Sequence, residues 1–118
     1  MKDFHVFISY SRSDDNDFEN STTASPIELI LKQLEKANIK TWVDREGKYI
    51  GENYMKEIAK GIDNSEMLLF VSSQNSNSSD SYWPIKEVLY AADQKMKIIP
   101  LLLDNTPFHE DLKLLFSA

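Results

Sequence analysis

The chain contains no cysteine, which excludes a disulfide frame, a thiol nucleophile and a cysteine-ligated metal. Its two histidines, His5 and His109, lie far apart without ligand spacing, so no metal site is expected. Positive charge is scarce: 13 Lys and Arg against 19 Asp and Glu give a formal charge of −6. That balance argues against nucleic acid or an anionic membrane as partner, since both need a basic patch, although a local basic pocket stays compatible with it. No stretch approaches the roughly 20 apolar residues of a membrane span, and the N-terminus has no signal-peptide core; the expectation is a cytoplasmic protein. Only three glycines are present, and neither a G-x-G-x-x-G fingerprint nor a P-loop is among the motifs. What is there is 118 residues, 42% of them hydrophobic, enough for one domain around one core.

The pattern alternates strands and helices. Residues 4–9 are mostly apolar and β-branched and predict a strand. A polar, acidic stretch, 11–25, predicts a long loop. Ser25 and Glu28 then form a capping box with Pro26 at the first helical position. Ile27, Ile30, Leu31 and Leu34 repeat at helical spacing, and Asn38 suits the stop. A short strand follows at 40–43, a glycine-containing loop at 44–53 and a helix at 54–63. The continuous apolar run 67–71 fits a strand covered on both faces. A Ser/Asn/Asp loop, 72–81, leads into a helix at 82–95, where Pro84 is tolerable because it lies in the first turn. Residues 98–103 predict a strand in which Pro100 demands an edge position or a bulge, and 107–116 a short terminal helix.

This order is that of an α/β fold with a parallel sheet: a flavodoxin-like, doubly wound sheet of strand order 2-1-3-4. In that order the first and third strands are neighbours, and a crevice opens at their carboxyl ends. The loops 9–13 and 72–82 bound it. A phosphoacceptor receiver domain shares the topology but wants acidic residues where Ser9-Tyr10 and Ser72-Ser73 stand.

Trp83-Pro84-Ile85-Lys86-Glu87 opens the helix that leaves this crevice. One helical turn carries the indole and the carboxylate to the same side. Together they can stack on a cationic heterocycle and stabilise positive charge forming beside it. On the helical wheel the apolar stripe is Ile85, Val88, Leu89 and Ala92, with Trp83, Glu87 and Tyr90 opposite. A solvated face carrying a tryptophan, and a pocket or interface wall, are both compatible with that wheel. At the end of the first strand, Ser9, Tyr10, Ser11 and Arg12 offer hydroxyls, amides and a guanidinium that suit a ribose or phosphate. A plain loop whose arginine pairs with Asp14, Asp15 or Asp17 is the simpler alternative for any one of them.

Taken in register, these pieces resemble the Toll/interleukin-1 receptor (TIR) domain family, its bacterial members in particular. Residues 4–11 resemble its first strand and box. Trp42-Val43-Asp44 with 45–53 resembles the second strand and BB loop, and 67–73 the third strand. Residues 81–87 resemble its tryptophan–glutamate motif, and Ile98-Ile99-Pro100-Leu101 its fourth strand. The family's usual fifth strand and last helix are not evident, which implies a single domain, 1–118, truncated at its C-terminus. The long polar insert 14–25 also departs from the pattern.

The resemblance implies an NAD+ nucleosidase that cleaves the nicotinamide–ribose bond to ADP-ribose or a cyclic isomer, with Glu87 catalytic. Trp83, Ser9, Tyr10, Ser11, Arg12, Ser72 and Asp44 are the implied substrate-binding residues. NAD+ is then substrate, and no cofactor is implied. Gly47, Tyr49, Ile50 and Gly51 of the BB loop are implied to contact other TIR domains in a homo-oligomer or filament. A C-terminal sensor or effector domain and a role in bacterial anti-phage defence belong to the same implication. The alternative is a non-catalytic adaptor acting through TIR–TIR contacts, with Glu87 on the surface. A nucleoside or nucleotide N-glycosidase with the same carboxylate chemistry ranks third.

Overall fold

The fold is described from a computed structural model and covers residues 2–15, 24–44, 51–78 and 82–116. Strand β1 (Phe4–Ser9) is followed by a 3-10 turn (Arg12–Asp15), helix α1 (Pro26–Lys36), β2 (Thr41–Trp42), α2 (Gly51–Asp63) and β3 (Ser65–Ser72). Helix α3 (Tyr82–Asp93), β4 (Lys97–Leu102), a 3-10 turn (Glu110–Leu112) and the one-turn α4 (Lys113–Phe116) complete the order. The four strands form one parallel sheet in the order β2-β1-β3-β4, as the sequence predicts. Pro100 lies opposite Phe70 in β4, at the edge of the described sheet, where a missing N–H is tolerated.

Alternation along β1 sorts its side chains to two faces. Val6 and Ile8 join Ile27 and Val71 beneath α1, with Ile30, Leu31 and Leu34 packed against them. Phe7 joins Leu68, Phe70, Ile58, Ile62, Ile85, Val88 and Ala91 beneath α2 and α3. Trp42 stacks on Phe7 at 4.8 Å between centroids and lies against Gly61 of α2. A Cβ on Gly61 would stand 2.7 Å from the Trp42 ring, so only glycine admits this approach.

Helix ends follow local chemistry. The Ser25 hydroxyl accepts from the Glu28 amide at 3.1 Å, capping α1. Asn38, at φ 59°, ends it in a left-handed turn, with Ile39 N–H donating to the Leu34 carbonyl. The turn after α3 is built alike around Lys95, at φ 60°, with Met96 N–H donating to the Ala91 carbonyl. Nothing about lysine favours that conformation, so this stop is invisible in the sequence.

Three expectations are corrected. Helix α2 starts at Gly51, inside the stretch assigned to a loop. Glycine weakens a helix interior, but a first position tolerates it. The paired strand β2 is only Thr41–Trp42, narrower than 40–43. Most consequentially, the buried stripe of α3 is Pro84, Ile85, Glu87, Val88 and Ala91, and Leu89 is 38% exposed. The wheel is thus turned by about one position, because hydropathy assigned Leu89 to the core and Glu87 to water. Gly47, Tyr49 and Ile50 of the BB loop lie outside the described residues, as does most of the 14–25 insert. Among the described residues, no helix is long and apolar enough to cross a membrane, and no group of three or more acidic or histidine side chains could hold a metal.

Candidate functional site

Pairing of β1 with β3 sets Ser9 beside Phe70 at the carboxyl edge of the sheet. Helix α3 begins above that edge. Its first turn brings the Pro84 carbonyl within 3.4 Å of the Ser9 hydroxyl, and the next turn delivers Glu87. The carboxyl group of Glu87 is held from two sides. Ser9 Oγ donates to Oε1 at 2.8 Å, and Tyr54 OH donates to Oε2 at 3.1 Å. Glu87 is 6% exposed, so the solvated-face alternative for this residue falls. The Tyr54 ring leans on Trp83, with centroids 4.1 Å apart and planes tilted by 43°.

The end of β2 supplies a second wall. Tyr10 OH donates to the Asp44 carbonyl at 2.7 Å, and Arg12 pairs with the Asp44 carboxylate at 3.4 Å. The arginine therefore crosses to Asp44, a partner outside its own loop. Asp14 instead accepts from Ser73 and from Asn75 Nδ2, tying the turn after β1 to the loop after β3. Ser11 and Ser72 serve the loops. Ser11 Oγ accepts from the Ser13 amide, and Ser72 Oγ accepts from Asn77 Nδ2, whose Oδ1 in turn holds the His109 amide.

This constellation, a serine ending β1, an aspartate after β2 and a Trp-x-x-x-Glu turn on α3, coincides with a family model. The model for the TIR domain matches residues 6–117. The chain belongs to the TIR domain family.

Solved structures agree on the fold. The TIR domain of the Toll-related receptor TRR-2 from Hydra magnipapillata superposes with a TM-score of 0.69 at 23% identity, covering 93% of this chain and 78% of that one. The TIR domains of the activated Roq1 resistosome, which directly recognises the effector XopQ, give 0.59 at 19% identity, covering 84% and 57%. Among curated proteins, a probable 2′ cyclic ADP-D-ribose synthase, TcpO of Methanobrevibacter olleyae, is 24% identical over 106 residues. The match takes in 89% of this TIR domain and 29% of that protein.

The electrostatics of the TIR domain single out Glu87. Burial pushes its pKa up to about 7. The hydrogen bonds from Ser9 and Tyr54 oppose the rise by favouring the charged form, and the nearby Asp44 carboxylate adds to it. The Tyr54 phenol is raised as well, first by burial and then by the Glu87 charge, so it stays a donor. Glu87 also lines a groove of about 220 Å³ between α2 and α3. Met55 and Ala59 form one wall and Trp83, Leu89 and Tyr90 the other, with Lys86 on the rim. Glu87 thus stands between a largely apolar recess and a polar wall.

Tyr54 is the residue that sequence reasoning missed. The signal was available: Tyr54, Ile58 and Ile62 share one stripe of α2, and the stripe's only polar member lies at the end nearest the crevice. A hydroxyl at that point has a carboxylate to meet.

Proposed function

We propose that this TIR domain is an NAD+ glycohydrolase in which Glu87 stabilises the ribosyl cation. One observation carries the reading: a carboxyl group buried at the carboxyl edge of the sheet, kept ionisable by two hydroxyl donors and flanked by Trp83. Nicotinamide leaves from a cationic pyridinium and departs neutral, so bond cleavage needs no general acid. It needs negative charge beside the anomeric carbon as oxocarbenium character develops, and a desolvated carboxylate supplies more of that than an exposed one. Ribose hydroxyls can take over the lone pairs that Ser9 and Tyr54 now occupy. Trp83 offers a ring for stacking a base, and Arg12 a cation for the diphosphate. Water capturing the cation gives ADP-ribose, and capture within the same molecule gives a cyclic product of the kind named for the Methanobrevibacter relative.

The adaptor reading places Glu87 on the surface, and its burial weighs against that reading. A protein using this face for contacts alone has no need to bury an ionisable group at a cost of desolvation. We further place self-association through 45–51 upstream of turnover, in a cytoplasmic defence signalling role. Tyr49→Ala is then expected to weaken association in sedimentation and turnover together.

The deciding experiment incubates the protein at high concentration with NAD+ and follows nicotinamide and both ribosyl products by chromatography. Wild type is expected to consume NAD+ and Glu87→Ala to leave it intact. A Glu87→Ala protein that turns over NAD+ at the wild-type rate refutes the assignment. Nicotinamide mononucleotide and nucleosides as competing substrates test the broader N-glycosidase reading.

A further inference from the structure

Both residues of the Trp-x-x-x-Glu turn touch the same side chain from another helix. Tyr54 stands in the first turns of α2, its ring on Trp83 and its hydroxyl on Glu87 Oε2. The two donors on the carboxyl group are not equivalent. Ser9 has a second acceptor, the Pro84 carbonyl at 3.4 Å. It can turn its hydrogen there and accept from a protonated Glu87, so it serves either charge state. A phenol is a poor acceptor, and the half-buried Tyr54 ring is held against the indole, so its hydroxyl serves chiefly the ionised form. We propose that Tyr54 is a positioning residue that fixes the rotamer of Glu87 and favours the charged form of its carboxyl group, while its ring props the indole beside it.

The inference rests on the reading of Glu87 as the reacting carboxylate. Among the described residues, the groups acting on the Glu87 carboxyl group are Ser9 from β1, Tyr54 from α2 and the Asp44 carboxylate after β2 with Arg12 beside it, while Lys86 on its own helix lines the adjacent groove. Asp44 opposes ionisation, and the two hydroxyl donors favour it. Removing one hydroxyl while keeping the ring isolates the Tyr54 contribution.

The test is the titration of the Glu87 side-chain carboxyl carbon by NMR on uniformly labelled protein, assigned by its loss in Glu87→Gln. Tyr54→Phe is expected to raise the midpoint by about one unit. Replacing tyrosine by 3-fluorotyrosine, a stronger donor that keeps the hydroxyl and every heavy atom of the ring, is expected to lower it. In turnover, the rising limb of kcat/KM against pH moves up with the midpoint. At pH 7 the activity of Tyr54→Phe falls roughly fivefold, the change in ionised fraction for that shift, and it recovers by pH 9. A loss due to structural damage alone persists at pH 9, and that result overturns the proposal. So does a Tyr54→Phe midpoint equal to the wild-type value. A shifted midpoint in a wild-type protein inert toward NAD+ overturns the proposed function and leaves the hold of Tyr54 on Glu87 standing.

Discussion

The two faces of the sheet are built by opposite habits. Beneath α1 the stripe follows local rules: a serine caps, Ile27 is buried with Ile30, Leu31 and Leu34 packed against its cluster, and Glu28 pairs with Lys32 one turn on at the surface. Beneath α2 and α3 the rules are broken at the carboxyl end of the sheet, where a glutamate is buried. Local propensity and burial agree on the first face and conflict on the second, and such conflict is where function is expected to reside. The second face has a recess lined in part by a titratable residue.

The sharpest way to break this contrast is substitution at its two centres. Glu87→Ala is expected to lower NAD+ consumption at least 100-fold, the scale of losing a preorganised charge at a transition state, while circular dichroism stays native. Ile27→Ala, the matching centre under α1, is expected to cost about 2–5 kcal/mol in urea unfolding, with turnover per folded molecule retained at temperatures below the melt. If Ile27→Ala removes activity from folded protein, or Glu87→Ala removes the fold, the division of labour between the faces is wrong.

A subtler effect follows from the burial of Glu87. Its folded-state pKa is raised to about 7 from the ordinary 4.5. The folded protein therefore binds the proton more tightly, and this stabilisation is full below pH 4.5 and lost as pH rises through 7. Glu87→Gln carries no such dependence. Its stability relative to wild type is expected to climb between pH 4.5 and 7 by an amount on the order of 3 kcal/mol, read from urea midpoints at pH 5 and pH 8. A difference that does not change with pH contradicts the buried-acid account. The smallest effect belongs to the orderly face: Ser25→Ala is expected to cost about 1 kcal/mol by loss of the cap, without any change in the pH dependence of turnover.

The same contrast explains what could be read from the residues alone. On the α1 side the cap, the stripe and the stop at Asn38 were legible because each is a local choice. The strand order was legible because alternation of strands and helices leaves few parallel topologies. Glu87 and Trp83 were legible as a pair, since a helix turn fixes their spacing. The direction in which Glu87 points was not, because hydropathy counts any carboxylate as solvent-facing and no wheel shows that Ser9 and Tyr54 wait on the inner side. Tyr54 and the Arg12–Asp44 pair escaped for a related reason. Each joins segments more than 30 residues apart, and such meetings are set by the sheet rather than by spacing along the chain. Lys95 escaped because its left-handed turn is imposed by the chain path between α3 and β4 and not by its own preference.

Gly61 gives the missing side chain an unusual reach. The shortest strand of the sheet is pinned by an indole seated flush on bare helix backbone, and Asp44 follows that indole by two residues. Even a methyl group at position 61 would lever Trp42 outward and drag along the anchor point of Tyr10 and Arg12. The shape of the polar wall beside Glu87 is in this sense dictated by a hydrogen atom on the neighbouring helix.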